Sequence, residues 1–91
     1  MPPPPSEETP LQRLGATIRH YRRQQRLTQK AVAAQAGLDH KYLSEIERGR
    51  RNVSVLSLLR IAQALHLPFS HLVASLDTYV QPVPPSQEDT L

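Results

Sequence analysis

The sequence predicts an all-α fold, one compact domain of five helices between two proline-rich tails. Three observations predict it. The nine prolines are Pro2, Pro3, Pro4, Pro5, Pro10, Pro68, Pro82, Pro84 and Pro85, so Leu11 to Leu67 is free of the residue that breaks helices. Within that stretch apolar residues recur three and four positions apart, behind Thr, Asp and Ser residues that suit helix N-caps. No segment alternates apolar and polar residues as a half-buried strand does.

Each helix has its own signal. Thr9-Pro10-Leu11-Gln12 reads as a capping box with Pro at the first helical position, predicting a helix from Pro10 to Gln25 that turns Leu11, Leu14, Ile18 and Tyr21 inward. Thr28 is placed to cap a short second helix that buries Val32, Ala33 and Ala36 and stops at Gly37. Asp39 is placed to cap a third, running to Arg48 with Leu43 and Ile46 inward and Gly49 as its stop. Ser54 caps a fourth to Leu65, facing the core with Leu58, Ile61, Ala62 and Leu65. A fifth begins at Pro68 and offers Phe69, Leu72, Val73 and Leu76.

These elements predict a folded unit over residues 9–77, with tails at 1–8 and 78–91. The tails are poor in apolar residues and cannot offset the entropy of ordering by burial, so they read as mobile segments or as polyproline docking peptides. The 91 residues suit one domain of the usual roughly 50 to 200. Without cysteine there is no disulfide framework, thiolate metal site or thiol nucleophile. No apolar run approaches the roughly 20 residues of a membrane helix, and MPPPPSEETP is not a secretory signal. The expectation is a soluble cytoplasmic protein with no membrane partner.

Charge is distributed unevenly. All eleven Lys and Arg lie between Arg13 and Arg60, opposed there only by Asp39, Glu45 and Glu47, so this segment carries +8 against +3 for the whole chain. A basic centre of this density fits either a polyanionic partner or a solvated surface. Arg13, Arg19, Arg23 and Arg60 read as solvated helix faces, whereas Arg50 suits solvent and phosphate equally.

Small residues at Ala33, Ala36 and Gly37 permit two helices to cross steeply through a short turn, which is helix-turn-helix geometry. On the third helix Leu43, Ile46 and Glu47 take the inner face, leaving Asp39, His40, Lys41, Ser44, Glu45 and Arg48 outward. That outer set is rich in groups that hydrogen-bond base edges.

The stretch LTQKAVAAQAGLDHKYLSEIERGRRNVS, followed by SLLRIAQALHL, resembles the helix-turn-helix domain of the Cro and lambda-type repressors, the xenobiotic-response-element family. Within it, LDHKYLSEIERGRRN most resembles the small controller proteins of restriction-modification genes. The likeness spans Leu14 to Leu76, with Leu27-Thr28-Gln29, Gly37, Ser44, Ile46-Glu47 and Gly49 in register. It implies a compact five-helix lambda-repressor-like domain that binds double-stranded DNA as a homodimer on a pseudo-palindromic operator. It also implies a transcriptional repressor or regulator, with autoregulation or restriction-modification control as its roles.

The resemblance assigns residues as well. Gln29 would hold a phosphate, with Thr28 and Lys30 beside it at the same helix start. His40, Lys41, Ser44 and Glu45 would face base edges, Lys41 suiting guanine and Glu45 the cytosine amino group. Tyr42, Arg48, Arg51 and Asn52 would contact the DNA backbone, and Arg22 with Glu47 would form a structural ion pair. Two positions depart from the family pattern. Arg26 stands where the family commonly has Gly, so this turn is either built differently or strained. His40 stands where controllers often carry Arg, so no operator sequence transfers.

Phe69, Leu72, Val73 and Leu76 read either as closing a very small core or, as the family typically uses them, as a dimer interface. His20, His66 and His71 lack partners at metal-ligand spacing, and Ser44, His40 and Asp39 share about one helical turn with no pocket implied. No metal, cofactor, small-molecule ligand or enzyme activity is expected. The rival reading is an antitoxin or adaptor that uses the same fold to bind protein.

Overall fold

A computed structural model describes residues 8–80. Its helices are α1 (Pro10–Gln24), α2 (Gln29–Ala36), α3 (His40–Glu47), α4 (Val55–Ala64) and α5 (Phe69–Val73), followed by a 3-10 segment at Ala74–Tyr79. The described residues contain no strand.

Local chemistry fixes most helix starts. Thr9 and Gln12 close the capping box reciprocally, at 3.0 and 3.1 Å. Thr28 accepts from the Ala31 N–H, and Ser54 from that of Ser57, each at 3.0 Å. Asp39 departs from expectation: it occupies the N-cap position of α3, but its side chain makes no capping bond. Helix ends also differ slightly, because Gln25, Arg48 and Leu65 are C-cap residues rather than helical ones. Gly37 ends α2 in the left-handed region, at φ 69°, where a side chain is disfavoured. Arg26 takes the same conformation at φ 59°, as does His66 at φ 55°. The turn at Arg26 is therefore the strained alternative.

The packing follows the apolar stripes. α1 lies against α3, α5 and the 3-10 segment, α2 against α3 and α4, and α4 against α5. Leu14, Ile18, Val32, Leu43, Ile46, Ile61, Leu65 and Leu72 fill the centre, and Leu11 and Tyr21 are half-buried at its edge. Fully burying a side chain of this size contributes about 1.5–3 kcal/mol. At Gly15 α1 approaches the end of α3 closely: a Cβ there would clash with the Ile46 carbonyl oxygen and lie 2.6 Å from that of Glu47.

The helix expected from Pro68 starts at Phe69 and lasts five residues before tightening into the 3-10 segment. That segment closes over α1 through Thr17 and Ser75, whose hydroxyls are 3.3 Å apart. Contacts also occur on either side of the expected limits of 9 and 77: the Tyr79 hydroxyl donates to the Glu8 carbonyl at 3.0 Å, and Glu8 pairs with Arg13 at 2.8 Å. The expected tails fall otherwise at residues 1–7 and 81–91, outside the described residues. No helix among the described residues is long and apolar enough to cross a membrane.

Candidate nucleic-acid interface

Helix α2 presents its start to one face of the molecule. The first N–H groups of a helix have no intrahelical acceptor and carry the positive end of the dipole, so an anion is favoured there. Thr28 and Lys30 are exposed at this end, and Gln29 is half-buried. Gln29 donates through Nε2 to Glu47 Oε1 at 3.0 Å. A side-chain amide nitrogen carries two hydrogens, so a second donor remains for an acceptor in the cleft.

Beneath Gln29 lies the pair that joins α1 to α3. Arg22 donates through Nε to Glu47 Oε2 at 2.8 Å and through Nη2 to Oε1 at 2.9 Å, a bidentate arrangement. Its Nη1 donates to the Leu27 carbonyl at 2.8 Å, fixing the turn before α2 as well. The Glu47 side chain is 2% exposed and that of Arg22 11%, so both ions are largely withdrawn from water and depend on each other. Arg22 also neutralises a carboxylate that would otherwise repel a phosphate at Gln29.

The outer face of α3 holds the expected base readers together. His40 and Lys41 are exposed, and Ser44 and Glu45 half-buried. Arg48, Arg51 and Asn52 continue the exposed surface past the helix end. Two of these residues and Tyr42 bind one another in the free chain: Arg51 pairs with Glu45 at 3.2 Å and stands 5.2 Å from the centre of the Tyr42 ring. Tyr42 is half-buried, and its hydroxyl donates to Ser57 Oγ at 3.4 Å, tying α3 to α4. Any outside partner of Glu45 or Arg51 must therefore displace this internal one.

An open cleft of about 450 Å³ lies between α1, α2 and α3. Gln29, Lys30, His40 and Arg48 line it, joined by Arg19 and Arg23 of α1. Reading those two arginines only as a solvated helix face missed their convergence with α2, because periodicity within α1 does not report where a second helix starts. Among the described residues no group of three or more His, Asp or Glu is placed to hold a metal ion.

The apolar residues expected at a dimer interface divide. Leu72 is 0% exposed within a single chain, packed among residues of the core, and has no surface to offer a partner. Phe69, Val73 and Leu76 are half-buried against that core and retain an outer edge. A second apolar surface was not anticipated: Val55, Leu56 and Leu59 stand exposed on α4. Its signal in the sequence is apolar residues lying off the inward stripe of Leu58, Ile61, Ala62 and Leu65.

A family model described as helix-turn-helix matches residues 18–72, which contain α2, α3, α4 and the intervening turns. An uncharacterised helix-turn-helix-type transcriptional regulator of Sinorhizobium fredii is 42% identical over 64 residues, 70% of this chain and 83% of that protein. The crystal structure of the restriction-modification controller protein C.AhdI from Aeromonas hydrophila superposes with a TM-score of 0.68 at 37% identity, covering 68% of this chain and 94% of that one. The controller protein C.Esp1396I, solved as a tetramer in complex with its natural 35 base-pair operator, superposes with a TM-score of 0.70 at 29% identity, covering 79% of this chain and 95% of that one.

Proposed function

The chain belongs to the helix-turn-helix family of DNA-binding transcriptional regulators, and from that premise we propose that it binds a pseudo-palindromic operator in double-stranded DNA as a homodimer and regulates transcription from it. The observation that carries this reading is the joint placement of the α2 start and the outer face of α3 along one cationic cleft. In such a site phosphate contacts set position and base contacts set sequence preference. Thr28, Gln29 and Lys30 take one phosphate run, and Arg48, Arg51 and Asn52 the other, with Tyr42 supporting the second from below. His40, Lys41, Ser44 and Glu45 enter the major groove.

Dimerisation follows from the groove geometry. Two recognition helices in successive major grooves stand about 34 Å apart, which sets the spacing of half-sites. Phe69, Val73 and Leu76 supply apolar surface for a two-fold contact, and the exposed face of α4 enlarges what is available. The protein acts by occupancy, without catalysis or a bound cofactor, in the cytoplasm where the operator lies. C.Esp1396I on its operator and C.AhdI support a controller role in restriction-modification, in which protein concentration sets promoter occupancy.

Selection of bound duplexes from a random pool tests this reading. The expected result is an enriched inverted repeat with half-sites about one helical turn apart. Absence of enrichment, with weak and steeply salt-dependent binding, would reduce the site to a generic basic surface and favour a protein-binding adaptor.

A further inference from the structure

We propose that Arg19 and Arg23 form an additional, sequence-independent phosphate-binding site on the outer face of α1, continuous with the α2 start. This rests on the DNA-binding reading given above and extends its contact surface to a helix outside the helix-turn-helix.

Four observations converge on it. Arg19 and Arg23 are both exposed and stand one helical turn apart on α1, so their side chains share one face. Both line the cleft that contains Gln29, Lys30 and Arg48. They also line a second open depression along α1, with Ala16, His20, Gln24 and Glu47, whose carboxylate is already paired with Arg22, so the two arginines carry the cationic surface up the helix. Finally, Arg19 and Arg23 have no carboxylate partner among the described residues, as is also true of Arg26, Arg48, Arg50 and Arg60, whereas Arg13 pairs with Glu8, Arg22 with Glu47 and Arg51 with Glu45.

Two like charges at this spacing repel each other in the free protein, and a phosphate between them removes that repulsion. Guanidinium groups suit the partner, since each offers a planar fork of donors to phosphate oxygens. A simpler account holds for Arg23 alone, which sits in the last turn of α1 and complements the negative end of the helix dipole. It does not extend to Arg19, more than a turn from that end.

The test is the Arg19→Gln/Arg23→Gln double variant of the full chain. It is titrated against the enriched duplex and an unrelated duplex by fluorescence anisotropy across a sodium chloride series. The slope of log K against log salt should become shallower by about 0.9 for each phosphate lost, about 1.8 for the two such sites of a dimer. Both duplexes should weaken by the same factor, with the enriched sequence and the melting temperature unchanged. Arg19→Lys/Arg23→Lys should restore most of the slope, because a point charge also releases counterions. Arg60→Gln, removing an exposed arginine of α4 that lines neither depression, should leave the slope as it was. A double variant with the wild-type slope, or one as affected as Arg60→Gln, overturns the proposal while the enriched operator keeps the regulator reading intact. Failure of the wild type to enrich any sequence overturns that reading by itself, and failure to bind either duplex overturns both.

Discussion

Gln29 donates its side-chain amide to Glu47 Oε1 at 3.0 Å, the same oxygen that receives Arg22 Nη2 at 2.9 Å. One buried carboxylate thus holds the start of α2, the end of α1 and the end of α3 in a single arrangement. The geometry of the proposed phosphate contact at Gln29 is thereby set by the ion pair behind it. Glu47→Ala leaves the Arg22 guanidinium buried without its partner, and such a loss costs about 3–5 kcal/mol. The melting temperature should fall by more than ten degrees, since about 1 kcal/mol shifts a domain of this size by roughly 4–8 °C. A melting curve superimposable on that of the wild type would contradict the assigned role.

Gln29 and Lys41 should separate position from sequence. Gln29→Ala removes the proposed phosphate contact and should weaken all duplexes alike. Lys41→Ala should cost about 1–3 kcal/mol on the preferred operator and relax selection at one base position. Repeating the duplex selection with each variant measures both effects. An unchanged base preference at every position would remove Lys41 from the readout set.

The extent to which this fold was legible differs from residue to residue. Caps were legible because they are local: Thr9 with Gln12, Thr28 with Ala31, and Ser54 with Ser57 are three residues apart in the chain and need no tertiary partner. Gly37 was legible for the same reason. Periodicity identified the inward faces of α1 to α4, but it cannot say which neighbour covers a face. Leu72 therefore read as interface or core alike, and only the packing of α5 on α1 and α4 decides for core. The joining of Arg22 to Glu47 came from family resemblance; their separation of 25 residues gives no local signal. Asp39 had the right type and position for a cap, yet its side chain leaves the α3 start uncapped.

Gly15 was silent in the sequence, because its constraint is the distance to another helix. Replacing it with Ala brings about 1 kcal/mol of improved helix propensity. Against this, the new methyl group meets backbone atoms of Ile46 and Glu47, with the Glu47 carbonyl carbon at 2.8 Å. Backbone at a helix end cannot move aside as a side-chain tip can, and overpacking of this kind costs about 1–3 kcal/mol. Gly15→Ala should lower the melting temperature and weaken operator binding together, since any relief displaces α3. Stability at or above that of the wild type would show that α1 and α3 separate at no cost.

Arg26 poses the opposite case, a residue where glycine is missing. At φ 59° its Cβ opposes the neighbouring carbonyl, a conformation costing about 1–2 kcal/mol for a side chain of this kind. The turn persists because its surroundings over-determine it: the Arg26 N–H donates to the Arg23 carbonyl at 2.9 Å, the Leu27 N–H donates to the Arg22 carbonyl at 3.1 Å, and the Leu27 carbonyl is held by Arg22 Nη1. Arg26→Gly removes the strain and retains every one of these bonds, while giving the unfolded chain more freedom. The two effects differ in sign, and the strain is the larger, so a net gain of about 0.5–1 kcal/mol is expected. The urea midpoint should rise with an unchanged slope. A fall in the midpoint would mean that the exposed guanidinium contributes more to the folded state than its backbone conformation takes away, and His66→Gly, at φ 55° after α4, would then serve as the cleaner measure of the same strain.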